Sequence, residues 1–475
     1  MKKTLAACLS GILCLSLAAC SAQTEEEAPL ESAETAAETG IDTDTVPTAA
    51  DTAINETLES SEDGGHAITA DGESLAYANL AVNKTGNSSG DEADFYGENS
   101  AVFATNGGSL DLSDLLIATD GTHANAVFSY GEGTVVTIRD SVIETSGNCS
   151  GGLMTTGGGT MIAENLNIYT TGNSSAAIRS DRGGGTVTVT GGTYTTEGTG
   201  SPVIYSTADI TVNDAELIST ASQGVVVEGS NSVTLNDVEL TADNNTKNSD
   251  KSDYYQAVMI YQSMSGDAAE GLASFTMNGG TLTNKNGDVF YVNNTVTEIR
   301  LKDVTIINED EDGVFLRAAA AGWGNEGSNG GQVTLTAVSQ EINGDILVDS
   351  VSNLNLILKQ VSLFTGTINP DGEAGEVYVE LNGSSGWKLT ADSYITSLTC
   401  EAGSIDLNGY TLYINGVAYD GGASEGESIE AAVTSGGGPG GMPPEMGQGG
   451  PGGTPPDGAP GGNHPDGEPP AKPGN

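Results

Sequence analysis

Arg179, Asp181 and Arg182, in AAIRSDRGGG, form the most concentrated charged group on a stretch otherwise rich in Ser, Thr and Gly. Two guanidinium groups flanking one carboxylate can pin a chain corner by pairing locally, or can hold a carboxylate of a ligand in a bidentate grip. A second set emerges when successive turns of a repeat are aligned by their apolar positions. Phe128, Met154, Arg179, Tyr205, Glu228, Tyr261, Tyr291 and Arg317 then follow one another on one outward row. Flat aromatic and guanidinium groups about 5 Å apart make a surface on which sugar rings stack. The same column is also a plain stabilising ladder. Trp323, Tyr254 and Tyr255 lie in two long insertions placed to wall that row. On the ligand reading, Tyr205→Ala with Tyr261→Ala is expected to weaken binding and leave the melting temperature nearly unchanged.

Other chemistries find less support. General acid and base work needs carboxylates on neighbouring turns of one face, and no such pair stands out. His66, His123 and His464 are isolated along the chain, without triad or zinc spacing. No organic cofactor is implied. Calcium is possible at the acidic corner Glu309, Asp310, Glu311 and Asp312, or at Asp243, Asp250 and Asp253; neither set matches a known calcium loop. The formal net charge of -50 makes nucleic acid an improbable partner.

These residues need a scaffold, and a repeat supplies it. In TVTVTGGTYTTEGTGSPVIYST, Thr186 to Thr207, three short alternating segments are separated by Gly-rich corners. An apolar pair two residues apart opens each turn: Leu75/Tyr77, Leu110/Leu112, Val136/Ile138, Met161/Ala163, Val187/Val189 and Ile210/Val212. The series continues through Val233/Leu235, Phe275/Met277, Ile299/Leu301, Val333/Leu335, Leu354/Leu356, Val377/Val379 and Ile405/Leu407. Nine of the twelve steps between pairs fall between 21 and 28 residues. The three longer ones coincide with insertions that begin near Gly90, Asp243 and Ala318. One such turn cannot bury its apolar side, but stacked copies can. The expected fold is all-β, a right-handed parallel β-helix of three strands per turn and about 13 turns, on the order of 60 Å long, over residues 66–420.

The flanks differ in composition. MKKTLAACLSGILCLSLAAC has a basic start and an apolar stretch too short to span a bilayer. Its end, Leu17-Ala18-Ala19-Cys20, resembles a bacterial lipobox. That likeness implies removal of residues 1–19, acylation of Cys20 and an extracytoplasmic, membrane-anchored protein. Residues 20–65 are acidic, without Lys or Arg, and read as a disordered tether. Residues 421–475 lead into a Gly/Pro-rich tail without collagen's period. Cys149 and Cys400 lie far apart in the repeat, which argues against a disulfide between them.

The repeat and the secreted leader together resemble the pectin-lyase-like superfamily, which includes pectate lyases, polygalacturonases, phage tailspikes and adhesins. The Asn-Thr-Asp, paired-Asp, Gly-His-Gly and Arg-Ile-Lys pieces of the polygalacturonase type are absent here. With TVTVTGGTYTT, YQAVMIYQSMSGD and GGPGGMPPEMG, the chain further resembles a clostridial-type group of β-helical surface lipoproteins, described as adhesin-like or carbohydrate-binding. The resemblance implies a non-enzymatic protein that binds a polysaccharide or a host or neighbouring-cell glycan. A polysaccharide lyase or hydrolase, and a structural envelope spacer, are the alternatives.

Overall fold

Alternation gives each short segment one buried and one outward face, and Thr186–Thr196 shows the result: Val187, Val189 and Tyr194 are buried while Thr188, Thr190 and Thr193 face out. The computed structural model describes residues 46–430, apart from 51, 248, 373 and 374 and the side chain of 91. The leader, Cys20, the first part of the tether and the tail from 431 lie outside the described residues.

Three parallel ladders wind through the chain. The first sheet starts at Ser74–Ala78 and runs through Ser109–Ser113, Val135–Arg139 and ten further strands to Ser397–Thr399. The second starts at Glu56–Ser60 and Leu80–Lys84, runs to Thr305–Asn308, and is continued by a separate four-stranded sheet from Glu341–Asn343 to Ile405–Asp406. The third holds 11 strands, from Ile68–Asp71 to Ile346–Val348. Every pairing in these three ladders is parallel, with each strand lying on its counterpart one coil later; this is a parallel β-helix of three strands per coil. Its interior is a continuous column of Val, Ile, Leu and Phe, including the edge-to-face run Phe275, Phe290 and Phe315 with centroids 5.6 and 5.5 Å apart.

Corners are as regular as strands. Between the first and second sheets, Asn79, Asp114, Asp140, Asn165, Asp214 and Asp237 each take a left-handed backbone, φ 47 to 58. Asn and Asp tolerate that region best among non-glycines, which explains their recurrence. Between the second and third sheets, Gly121, Gly147, Gly172 and Gly198 stack so closely that a Cβ on Gly172 would lie 1.8 Å from the Gly147 carbonyl oxygen. Ser150, Ser175 and Ser201 stitch this corner: each Oγ donates to a glycine carbonyl of the coil before, at 2.8 to 3.0 Å. Each also accepts a backbone N–H there.

Four sequence expectations need correction. Ile299 pairs with Leu335 rather than Val333, because the insertion before Gly331 shifts the register by two residues, which keeps the same face inward. Ile405 belongs to the continuation of the second sheet, on Trp387; the thirteenth strand of the first sheet is Ser397–Thr399, with Leu398 on Val379. The coil begins before residue 66, at Glu56–Ser60 inside the expected tether. Beyond 420 the chain does not leave the coil at once but lies along it, with Ser424 in an antiparallel bridge to Cys400 and Ile429 exchanging two 2.9 Å hydrogen bonds with the Asn355 side chain.

Candidate functional site

The third sheet's outward rows carry most of the candidate residues, but in two rows rather than one. Tyr205 lies on Val226, Val226 on Met259, Met259 on Tyr291, and Tyr291 on Arg317. Glu228 and Tyr261 pair with each other two residues further along, in the adjacent outward row. A shift of two leaves a side chain on the same face, so apolar periodicity cannot separate these rows.

The insertions do more than wall these rows, because they roof them. Phe95, from the short helix Asp91–Tyr96, lies 3.9 Å beneath the Arg182 guanidinium, which pairs with Asp267 of the loop 262–271 at 2.8 Å. Trp323 meets Tyr261 edge-on at 5.2 Å, and Tyr254 covers both Tyr291 and the Arg317 guanidinium, the latter at 4.0 Å. Val226, Met259, Tyr291 and Ala319 thereby form a second apolar core, with Tyr205, Tyr261 and Trp323 packed against it. Arg179 is held by Asp181 at 2.7 Å and Arg317 by Asp288 at 2.6 Å, and both carboxylates are buried. Burial is the largest single influence on Arg179 and opposes its charge, but Asp181 together with Asp94 and Cys149 leaves the guanidinium pKa raised.

Glu228 is the most enclosed charge in this cover, at 2% exposure. It accepts hydrogen bonds from the Tyr205 hydroxyl, from the Tyr261 hydroxyl at 3.2 Å and from the Ser263 hydroxyl. The two phenol oxygens are 3.3 Å apart. Desolvation, joined by the Glu228 charge, pushes both phenols well above the usual tyrosine pKa. Tyr205 and Tyr261 are therefore packing and hydrogen-bonding residues, and this geometry replaces the expectation of unchanged stability with an expected loss.

Tyr291 gives the pH consequence. It is fully buried, and desolvation raises its phenol pKa above 10. With the folded pKa above the unfolded one, its contribution is complete below pH 10 and is lost as pH climbs from there toward the folded value. Tyr291→Phe should flatten the alkaline loss of stability by about 1.4 kcal/mol per pH unit above pH 10, measured by urea unfolding at pH 9 to 11.5. An unchanged slope would place Tyr291 in water.

Beyond the roof the rows open into a trough. A cavity of about 230 Å³ is bounded by Tyr254, Arg317, Asp349, Asn369, Pro370 and Asp371, among others. A shallower depression of about 550 Å³ adjoins it through the shared Ala320 and Asp349, with Glu326 and Asn329 on its wall. Asp349 is fixed by the Ala320 N–H at 2.7 Å and by the Ser352 hydroxyl at 2.7 Å. Two buried amides on the trough are only half satisfied. Asn369 accepts from the Val348 N–H at 2.8 Å while its Nδ2 has no protein partner. Asn329 donates to Ala321 and Trp323 carbonyls while its Oδ1 has none. Both orphan atoms are closed off from solvent, so what the trough offers a ligand is the Tyr254 ring, 40% exposed, beside the Arg317, Asp349 and Asp371 side chains on its wall.

Of the expected site residues, Arg317 alone borders this trough cavity, while Trp323 sits in the loop between its halves. Asn329, Asp349 and Asn369 escaped sequence reasoning, since single amides and carboxylates in loops carry no spacing signal. The acidic corner is engaged locally: Asp310 accepts from the Gly287 and Asp312 N–H groups. His66 stacks on Phe103 at 4.7 Å. His123, expected to be isolated, instead meets Asp94 and Cys149; the helix insertion and the coil stacking bring together residues that are distant in sequence. Cys149 and Cys400 are both free. Family models, curated proteins and solved structures were each searched, and none matches this chain.

Proposed function

We propose that this chain is a surface lipoprotein, anchored through Cys20, whose β-helix binds a polysaccharide without turning it over. The carrying observation is the trough beside Tyr254, whose ring is 40% exposed and whose wall also carries Arg317, Asp349 and Asp371. A stacking ring with convergent, pre-held polar groups is how a protein binds sugars at modest cost in ordering. The repeating coil supports the same reading, since it supplies a rigid platform for an extended chain. The lipobox and acidic tether support display away from a membrane surface.

The test is a glycan array probed with the chain carrying Cys20→Ser, followed by product assays on each glycan retained. Binding with neither new reducing ends nor unsaturated products is the expected result. Turnover would establish a lyase or hydrolase instead, and an array without any retained glycan would leave a structural spacer. Detergent-phase partition of the native chain, abolished by Cys20→Ser, checks the anchor.

A further inference from the structure

Sulfur, nitrogen and oxygen donors converge at one end of the third sheet, away from the trough. His123 and Cys149 occupy the same left-handed position, φ 55 in both, of the Gly-Ser corner in consecutive coils. The backbone locks their stacking: the His123 N–H donates to the Asn148 carbonyl at 2.9 Å, and the Cys149 N–H to the Asn173 carbonyl at 2.8 Å. The next coil carries Ser174 at this place, so a ligating pair arises only here. The helix Asp91–Tyr96 then lays Asp94 over the pair, with its carboxylate 2.7 Å from His123 Nδ1. The Cys149 thiol sulfur, an imidazole nitrogen and an Asp94 oxygen all lie within 4.8 Å of one another. Among the described residues this is the one set of three such donors so close together.

We propose that Asp94, His123 and Cys149 bind a divalent transition metal of the zinc class. Donors around a tetrahedral zinc stand about 3.3 to 3.6 Å apart, given zinc–ligand distances of about 2.0 to 2.3 Å. The observed cluster reaches that geometry by small side-chain movements, with Asp94 withdrawing slightly from the imidazole. Thiolate and imidazole donors select zinc, cobalt or copper over calcium, which takes 6 to 8 oxygens. Thiolate and carboxylate together balance the two charges of the ion, and the protons of the thiol and of the imidazole site leave to solvent on binding. Arg179 lies near enough for its charge to be felt by Asp94 and Cys149, but its guanidinium is committed to Asp181. Three protein ligands leave a fourth position for water.

The Gly-Ser corner makes the variants tolerable, since His123 and Cys149 project from a backbone that Ser174 also adopts. Cobalt titrated into the full chain under reducing conditions is expected to bind once per chain at this site. It should give a thiolate-to-cobalt charge-transfer band with tetrahedral d–d bands, displaced by zinc. Cys149→Ser should abolish the charge-transfer band, and His123→Gln and Asp94→Asn should each weaken binding at least tenfold, while circular dichroism stays native. Retention of the band in Cys149→Ser, or undiminished affinity in a folded His123→Gln chain, overturns the proposal. Absence of any cobalt band in the native chain overturns it as well. Glycan binding at the trough is unaffected by these variants, so the two proposals fail separately.

Discussion

Tyr205→Ala combined with Tyr261→Ala lowers stability by about 5 kcal/mol, a large share of the roughly 5 to 15 kcal/mol that a folded domain has to lose. Removing a large buried aromatic side chain costs about 3 to 5 kcal/mol where the site cannot collapse. Both rings here are partly exposed, and because they touch the same partners their losses will not simply add. A further penalty falls on Glu228, which keeps its buried charge but loses two of its three side-chain donors. A buried charged group stripped of partners costs about 1 to 3 kcal/mol or more. The conservative pair Tyr205→Phe and Tyr261→Phe keeps the rings and isolates this term, so it should recover a large share of the stability. Denaturant unfolding of the three chains, native, double alanine and double phenylalanine, measures both terms. A double alanine variant that melts with the native protein would mean that the third sheet is not roofed.

Gly172→Ala lowers stability by about 3 kcal/mol through a different mechanism. Its Cβ would stand 1.8 Å from the Gly147 carbonyl oxygen, a contact with backbone that no rotamer change relieves. The neighbouring coils have no slack to yield, since Gly147 approaches Gly121 and Gly198 approaches Gly172 equally closely. Parting the coils would also stretch the Ser175 bond to the Gly147 carbonyl, now 3.0 Å. Gly107→Asn is the control: its φ of 74 suits asparagine and nothing lies within 4 Å of the added Cβ. It should cost less than about 1 kcal/mol. Equal melting temperatures for the Gly172→Ala and native chains would contradict the coil-on-coil packing at this corner.

The coil was legible because it depends on period alone. Val187/Val189 and their counterparts announce a buried face every turn, whereas the Asn and Asp that take the left-handed corners were not read from the sequence. Register across insertions was less legible: the step from Ile299 to Leu335 keeps the inward face, so nothing in the apolar pattern rejects a two-residue error. The same ambiguity placed Glu228 and Tyr261 in the row of Tyr205. What the insertions do was not legible, because Phe95, Tyr254 and Trp323 sit in segments without period. Their packing over the third sheet converts an expected open ladder into an enclosed second core. For the same reason His123 read as solitary, although stacking places Cys149 beside it and a six-residue helix delivers Asp94.

The trough, rather than the covered rows, is where a polysaccharide should bind, and Tyr254 is the ring that an incoming sugar meets. With any glycan retained on the array, a binding isotherm for Tyr254→Ala should show at least tenfold weaker affinity, at a melting temperature within a few degrees of the native chain. An isotherm that superimposes on the native one would contradict the assignment of the ligand face.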